Sequence, residues 1–283
     1  MTFVLHNTVY REGEGVPMVL IHAFPVDHRM WDQCAGEIIA QSDQDGLPTF
    51  PIWAPDMPGA GQSPVPTHSE SGTVAPDGAL TQALDLLADS YVDLLHRAGY
   101  DKAMWVGLSM GGYVMFDIHR RHPETVAGLG VCDTQAAGEN EQGRRRRLAV
   151  AEACDKGSVE PVMRFATPRP GDSTVKRSTA CVSLFTQWIE QQSPAGVAWR
   201  QRMAAGRADL SGQLPLISVP TAVVSGSLDP SSPPESMKAM ARAMTGTTAS
   251  FTQIEDCGHF SAVEHPRQVA RPLVDVMGRV VRR

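Results

Sequence analysis

Residues 104–114 read Met104-Trp105-Val106-Gly107-Leu108-Ser109-Met110-Gly111-Gly112-Tyr113-Val114. An apolar run leads into the Gly-x-Ser-x-Gly spacing of residues 107–111, and a helix-compatible run leads out. That pattern predicts a sharp strand-to-helix turn that holds the Ser109 hydroxyl clear of a sheet. Such a turn strains the serine backbone, so its near neighbours must be small, a need that Gly107 and Gly111 meet. A helix opening at Met110 would also point its amide dipoles at the serine, which favours an oxyanion there.

The rest of the chain alternates in the same sense. Phe3–Tyr10 reads as a short strand, and Met18–Ala23 and Val126–Cys132 as buried ones. Pro51–Pro55, Thr221–Ser225 and Ala249–Ile254 are further extended runs. Helices are expected over Met30–Ala40, Leu80–Ala98, Pro234–Met244 and from Pro266 onward. The clearest is Leu80–Ala98, where Leu84, Leu87, Ala88, Tyr91, Leu94, Leu95 and Ala98 recur at helical spacing before the stop at Gly99. The helix after Ser109 should end near Arg121, before Pro123. Residues 64–79 read as loop, and residues 135–214 hold helix-like segments with no convincing strand. Strands alternating with helices imply a mostly parallel sheet covered on both faces.

Ligands of such sheets bind outside the carboxyl ends of the strands. His22, Ser109, Asp133, Asp229 and His259 each follow an expected strand, so one sheet edge should gather a serine, histidines and acids. A serine hydroxyl is a poor nucleophile at neutral pH and needs a base within hydrogen-bond reach and a group that orients the base. Ser109 would attack a carbonyl, His259 would take and return the proton, and Asp229 would fix the imidazole tautomer. Asp133, Glu255 and Asp256 are rival acids. Glu255 and Asp256 lie too near His259 in sequence to reach its far nitrogen easily. The oxyanion needs two donors, for which the backbone N–H groups of Met110 and Phe24 are the candidates.

Composition narrows the remaining classes. The chain has 283 residues, of which 42% are hydrophobic, enough for one large core and too many for disorder. A net charge of -6 argues against nucleic acid as the main partner. The 5 cysteines, Cys34, Cys132, Cys154, Cys181 and Cys257, show no Cys-x-x-Cys spacing. Reduced thiols in a cytoplasmic protein are therefore expected, without a disulfide framework or zinc site. No secretory signal is visible, and no apolar run reaches the ~18 residues of a membrane span. His119 and His122 lie three apart on one helix, but no third ligand is evident, so no metal is expected.

Taken together, the motifs resemble those of the α/β-hydrolase superfamily over nearly the whole chain. His22-Ala23-Phe24-Pro25 resembles its oxyanion loop, and Asp56-Met57-Pro58-Gly59-Ala60-Gly61-Gln62-Ser63 its Asp-x-Pro-Gly-x-Gly-x-Ser loop. Gly107–Gly111 resembles its nucleophile elbow, Gly226-Ser227-Leu228-Asp229 its acid turn and Gly258-His259-Phe260 its histidine loop. The order Ser109, Asp229, His259 is the order of that superfamily's triad. The elbow and the ending look most like the carboxylesterase, enol-lactonase and cofactor-free haloperoxidase (perhydrolase) branches. Two departures stand out. Ala23 replaces the usual glycine, a methyl that bears on the Phe24 amide or on the acyl pocket. The stretch before the His22 strand is also short for the hairpin that opens the family's sheet, which bears on whether the first strand is present.

The resemblance implies an α/β-hydrolase fold with core segments 1–134 and 215–283 and a helical lid, residues 135–214, inserted late in the sheet. Met163, Phe165, Leu184, Phe185, Trp188, Ile189 and Trp199 of the lid would mostly pack it onto the core, some of them roofing Ser109. Arg144-Arg145-Arg146-Arg147 is expected as a solvated helix face rather than an anion site. The implied activity is hydrolysis of a small ester or lactone with an apolar acyl or aryl part, through an acyl-enzyme and without a cofactor. A perhydrolase, a carbon–carbon bond hydrolase and a non-catalytic ligand-binding homologue are the alternatives. No membrane partner is expected, and a monomer or a homodimer fits equally.

Overall fold

The computed structural model describes residues 2–282. Its seven strands are β1 (Asn7–Arg11), β2 (Met18–Ile21), β3 (Ile52–Pro55), β4 (Ala103–Leu108), β5 (Val126–Cys132), β6 (Thr221–Gly226) and β7 (Ser250–Ile254). The helices are α1 (Asp32–Gln44), α2 (Ala83–Arg97), α3 (Met110–Arg121), α4 (Glu141–Cys154), α5 (Thr179–Glu190), α6 (Pro194–Gly206), α7 (Pro234–Ala243), α8 (Ser261–Glu264) and α9 (Pro266–Val280). The strands lie in the order β1-β3-β2-β4-β5-β6-β7. All neighbours run parallel except the edge pair β1 and β3. A single strand precedes β2, and it lies at the edge of the sheet.

Every residue of β2, β4 and β6 is buried, which a strand achieves only with both faces covered. Helices α2 and α3 pack as one pair and α1 and α9 as another, with α3 against β4 and α9 against β5 and β6. Of the expected stripe, Leu84, Leu87, Ala88, Tyr91 and Leu95 are buried, while Leu94 is half-buried and Ala98, just past the end of α2, is exposed. Helix α1 runs later than its apolar pattern indicates, to Gln44, because Gln41 and Ser42 are buried along with the apolar Ile38. Gln41 finds a partner in the Arg267 carbonyl at 2.9 Å, and Ser42 bonds back to the Ile38 carbonyl at 2.7 Å, so the polar groups are satisfied.

Between β5 and β6 the chain makes three α-helices, α4 to α6, two short 3-10 turns at Glu160–Phe165 and Ser211–Leu216, and no strand. Each α-helix there begins at a side-chain cap that serves one of the unpaired first-turn amides. Asn140 accepts from Gly143 N–H, Ser178 from Cys181 N–H and Ser193 from Gly196 N–H. This segment lies against the sheet edge where the strands end, which is where the candidate site residues collect.

Candidate active site

Ser109 sits between β4 and α3 with φ 55° and ψ -114°, a strained backbone for a residue with a side chain. The turn holds because its neighbours lack side chains. A Cβ on Gly107 would lie 2.4 Å from the Gly111 carbonyl oxygen, and one on Gly111 would lie 2.1 Å from the Ile21 carbonyl oxygen. Ser109 N–H donates to the Cys132 carbonyl at 3.0 Å, and the Thr134 hydroxyl donates to the Ser109 carbonyl at 2.6 Å. Both ends of the strained peptide are thereby tied to the end of β5.

His259 lies in the loop between β7 and α8. Its Nε2 is 2.8 Å from the Ser109 hydroxyl oxygen, and its Nδ1 is 2.8 Å from a carboxylate oxygen of Asp229, in the turn after β6. The partners define the tautomer: Nδ1–H donates to the carboxylate, which leaves Nε2 free to accept from the hydroxyl. Burial disfavours the charged imidazole, but the nearby Asp229 carboxylate outweighs it, with Asp133 and Glu264 adding, so the His259 pKa is raised. Asp229 is buried, while Ser109 and His259 are partly exposed. The structure thus brings together all three residues singled out for catalysis.

Asp133, the rival acid, makes no hydrogen bond to His259. Its carboxylate accepts from Gly226 N–H at 2.9 Å and from Ser261 N–H at 3.4 Å. It ties the turn carrying Asp229 to the loop carrying His259. Burial and the neighbouring Asp229 charge push its pKa up. Glu264 does a similar service, which sequence reasoning missed. It is buried and accepts from Gly258 N–H at 2.7 Å, Phe260 N–H at 3.2 Å and the Ser173 hydroxyl. Its one sequence signal is an acid five residues after His259, at the end of the short helix α8. Of the other rivals, Asp256 is engaged by Thr174, and Glu255 is exposed and pairs with Gln253.

Phe24 and Met110, the expected oxyanion donors, both border the cavity above Ser109. Neither backbone N–H has a protein acceptor among the described residues. Ala23 is fully buried and does not border the cavity, so its methyl packs into the core and leaves the acyl space alone. His22 braces this loop. Burial lowers its pKa to about 4, so it is neutral at ordinary pH. Its Nδ1 faces the Ala23 carbonyl at 3.0 Å, and its Nε2 accepts from Met57 N–H at 2.8 Å. The loop after β3 is folded around Asp56, which accepts from His28. Gly61 there has φ +49°, and a Cβ on it would lie 2.1 Å from the Asp56 carboxylate.

Asp27, His28 and Asp56 form the one cluster with metal-ligand spacing among the described residues, and no pattern in the sequence announces it. Its acceptors are already engaged. Arg29 and Gln192 bind Asp27, and the His28 ring and N–H bind Asp56. His122 instead pairs with Asp89 at 2.7 Å.

The cavity above Ser109 has a volume of about 950 Å³. Of the seven lid apolar residues singled out in the sequence, Phe165 alone borders it. Phe185 and Ile189 are fully buried, and Trp188 and Trp199 nearly so. The arginine run departs from a uniform solvated face. Arg144 binds Asp77, Arg145 binds Glu141, and Arg147 binds Glu139 and Gln201, while Arg146 borders the cavity. Successive residues on a helix point in different directions, so one run serves four surroundings.

A parallel α/β sheet with a strained serine at a strand-to-helix turn, and a histidine and an acid on the next strand ends, defines a class of enzyme architecture. The chain belongs to the alpha/beta hydrolase family, whose model matches residues 18–271, and is an alpha/beta hydrolase enzyme. It is similar to a thermophilic esterase from Thermogutta terrifontis, solved with malate bound. The two are 30% identical, the match covers 98% of this chain and 94% of the other, and the TM-score is 0.82. The enol-lactonase from Burkholderia xenovorans LB400 shares the fold at 21% identity, covering 97% and 96% of the two chains with a TM-score of 0.77. Among curated proteins, 3-oxoadipate enol-lactonase 1 of Acinetobacter baylyi is 23% identical over 265 residues, 90% of this chain and 86% of the relative. No helix among the described residues is long and apolar enough to cross a membrane.

Proposed function

We propose that the protein hydrolyses a small carboxylic ester or lactone through an acyl-enzyme on Ser109. The observation that carries this reading is the unbroken line from the Ser109 hydroxyl through His259 to Asp229, with both links at 2.8 Å. His259 takes the hydroxyl proton as Ser109 adds to the carbonyl carbon, and Asp229 stabilises the imidazolium. The unengaged N–H groups of Met110 and Phe24 receive the oxyanion. Collapse of the tetrahedral intermediate expels the alkoxide, which takes the proton from His259. For a lactone the alkoxide stays attached to the acyl chain. Water, deprotonated by His259, then attacks the acyl-enzyme, and collapse with return of that proton from His259 to the Ser109 oxygen releases the acid. The esterase at 30% identity supports the reaction class.

In this reading residues 135–214 are the lid that shapes the acyl space, and the setting is cytoplasmic, as five unpaired and buried thiols favour. The test is hydrolysis of p-nitrophenyl esters from acetate to decanoate, with Ser109→Ala alongside. The expected result is serine-dependent turnover with a short-chain optimum. Ester cleavage by Ser109→Ala at the wild-type rate would remove Ser109 from the mechanism.

A further inference from the structure

The walls of the cavity over Ser109 are unequally charged. Five cationic side chains, Arg146, Arg147, Arg164, Arg169 and Lys176, border it, against three carboxylates, Glu139, Asp172 and Glu264. The carboxylates are already engaged. Glu139 binds Arg147 and Arg207, Asp172 accepts from Arg169 N–H, and Glu264 holds the His259 loop. Among the cations, Arg147 alone has a carboxylate within 4 Å among the described residues. Several arginines elsewhere are paired: Arg120 and Arg121 bind Asp85, Asp117 and Asp89, and Arg144 binds Asp77.

Unmatched cations gathered in one cavity repel one another. The Arg164 guanidinium is pushed down in pKa first by burial and then by Arg146, Arg169 and Arg147. Such an arrangement is relieved when an anion enters between the cations. Lys176 is half-buried rather than free in water. Its ammonium lies 4.0 Å from the centre of the Phe185 ring and 5.6 Å from that of Phe260, and it donates to the Phe165 carbonyl. The ring faces replace part of its hydration. An ammonium has three donors, and among the described residues the Phe165 carbonyl is the one protein acceptor it meets.

The position of these cations relates them to the reacting groups. The Phe165 ring packs edge-on against Phe24, whose amide is the candidate oxyanion donor, with centroids 5.8 Å apart. On its other side it meets Phe260, next to the His259 ring, at 6.5 Å. The Arg164 guanidinium lies over the Phe165 ring at 5.2 Å. One aromatic layer therefore separates Arg164 and Lys176 from the oxyanion amide and the base. Phe24, Met110, Phe165 and Phe260 supply apolar wall to the same cavity that the cations border.

We propose that the cavity selects esters or lactones that carry a second carboxylate, bound by Arg164 and Lys176 with Arg146 and Arg169 drawing it in, a short apolar spacer away from the carbonyl at Ser109. This inference rests on the hydrolase reading above for the reacting end of the substrate and on the cation cluster for the other. The selectivity is a difference of affinities, since a neutral acyl chain leaves the cations unmatched. Guanidinium suits the task because its planar donors grip a carboxylate through two bonds.

Two readouts separate this proposal from the hydrolase reading. The first needs no turnover. Titration calorimetry with succinate, glutarate and adipate should show binding of at least one of them. That binding should weaken about tenfold in the double variant Arg164→Gln/Lys176→Met and fade as salt rises. The second is the ratio of kcat/KM for monomethyl glutarate to that for methyl valerate, which should exceed one in the wild type. The ratio should fall about tenfold in the double variant, chiefly through KM. Damage to the fold or to Ser109 lowers both rates and leaves the ratio in place. If Lys176→Met does not fold, the exposed pair Arg146→Gln/Arg164→Gln carries the same test. If neither these esters nor the p-nitrophenyl series is cleaved, the hydrolase reading fails and the calorimetry decides the anion site alone. The proposal is overturned if none of the three dicarboxylates binds, or if binding and ratio are the same in wild type and variant.

Discussion

The carboxyl edge of the sheet and the helical segment at 135–214 face each other across the cavity, and they are held by different kinds of bond. At the sheet edge the backbone does the holding. Ser109 and Asp133 have positive φ, the turn at Ser109 closes on missing side chains, and Asp133 and Glu264 grip backbone N–H groups. The helical segment is tied down largely through side chains. Arg200, fully buried in α6, donates to the carbonyls of Val26, Gly59 and Gly196 and to Gln192. Gln192 in turn bonds Asp27, and Trp199 bonds Ser71. Backbone-held groups keep their geometry through most substitutions, whereas side-chain ties change with each one. In the proposed reading, the sheet carries the chemistry and the helices the choice of substrate.

The sharpest way to break that comparison is to exchange the two acids of the sheet edge. Asp229→Asn should lower kcat by about 10⁴-fold, because the amide cannot hold the required imidazole tautomer. Asp133→Asn should leave most of kcat and lower stability by about 1–3 kcal/mol, since an amide matches two backbone donors less well than a carboxylate. Side-by-side kinetics and urea melts read both effects. A larger loss of kcat for Asp133→Asn would reverse the assignment.

On the helical side, Arg200→Met should cost about 3 kcal/mol in denaturant unfolding, because it strips a charged donor from buried carbonyls and from Gln192. The Arg200 pKa is lowered to about 10 by burial, with Asp27 and Asp56 opposing, so the guanidinium stays charged at neutral pH. A change within about 0.5 kcal/mol, the range of ordinary surface substitutions, would show that α6 is not anchored by this side chain.

The smallest expected effect concerns pH. His259 must be neutral to accept the proton, and its pKa is raised above the ordinary 6.5. The rate therefore climbs with pH through a midpoint above that value. Replacing Asp229 by Asn removes a main raising influence, so the midpoint of the residual activity should move down. A wild-type acid limb centred below 6.5 would contradict the arrangement around His259.

The legibility of the molecule follows the same divide. The strands, the Ser109 turn and the three residues that meet at 2.8 Å were readable because each depends on local spacing: an apolar run, then small residues, then the reactive side chain. Asp133 was readable as an acid but not as a strut, because its partners are N–H groups of Gly226 and Ser261, far along the chain. Glu264 was missed for a different reason: Gly258 and Phe260 are close to it in sequence, but they bind it through backbone N–H groups that no side-chain pattern marks. The helical segment was legible only as helices. Its fixings, such as Arg29 to Gln191 and Arg147 to Gln201, join residues remote in sequence and leave no periodic trace. Most of the lid apolar residues pack inward as expected, Phe185 against Phe260 among them, and of the seven Phe165 alone reaches the cavity, where cations supply much of the remaining wall.

The most direct test of the central claim is to trap the serine. Incubation with a p-nitrophenyl alkylphosphonate, followed by intact-mass and peptide mass spectrometry, should show one phosphonyl group, on the peptide carrying Ser109. Labelling should slow strongly in His259→Ala and vanish in Ser109→Ala. A label on another residue, or equal labelling of Ser109→Ala, would contradict an acyl-enzyme at Ser109.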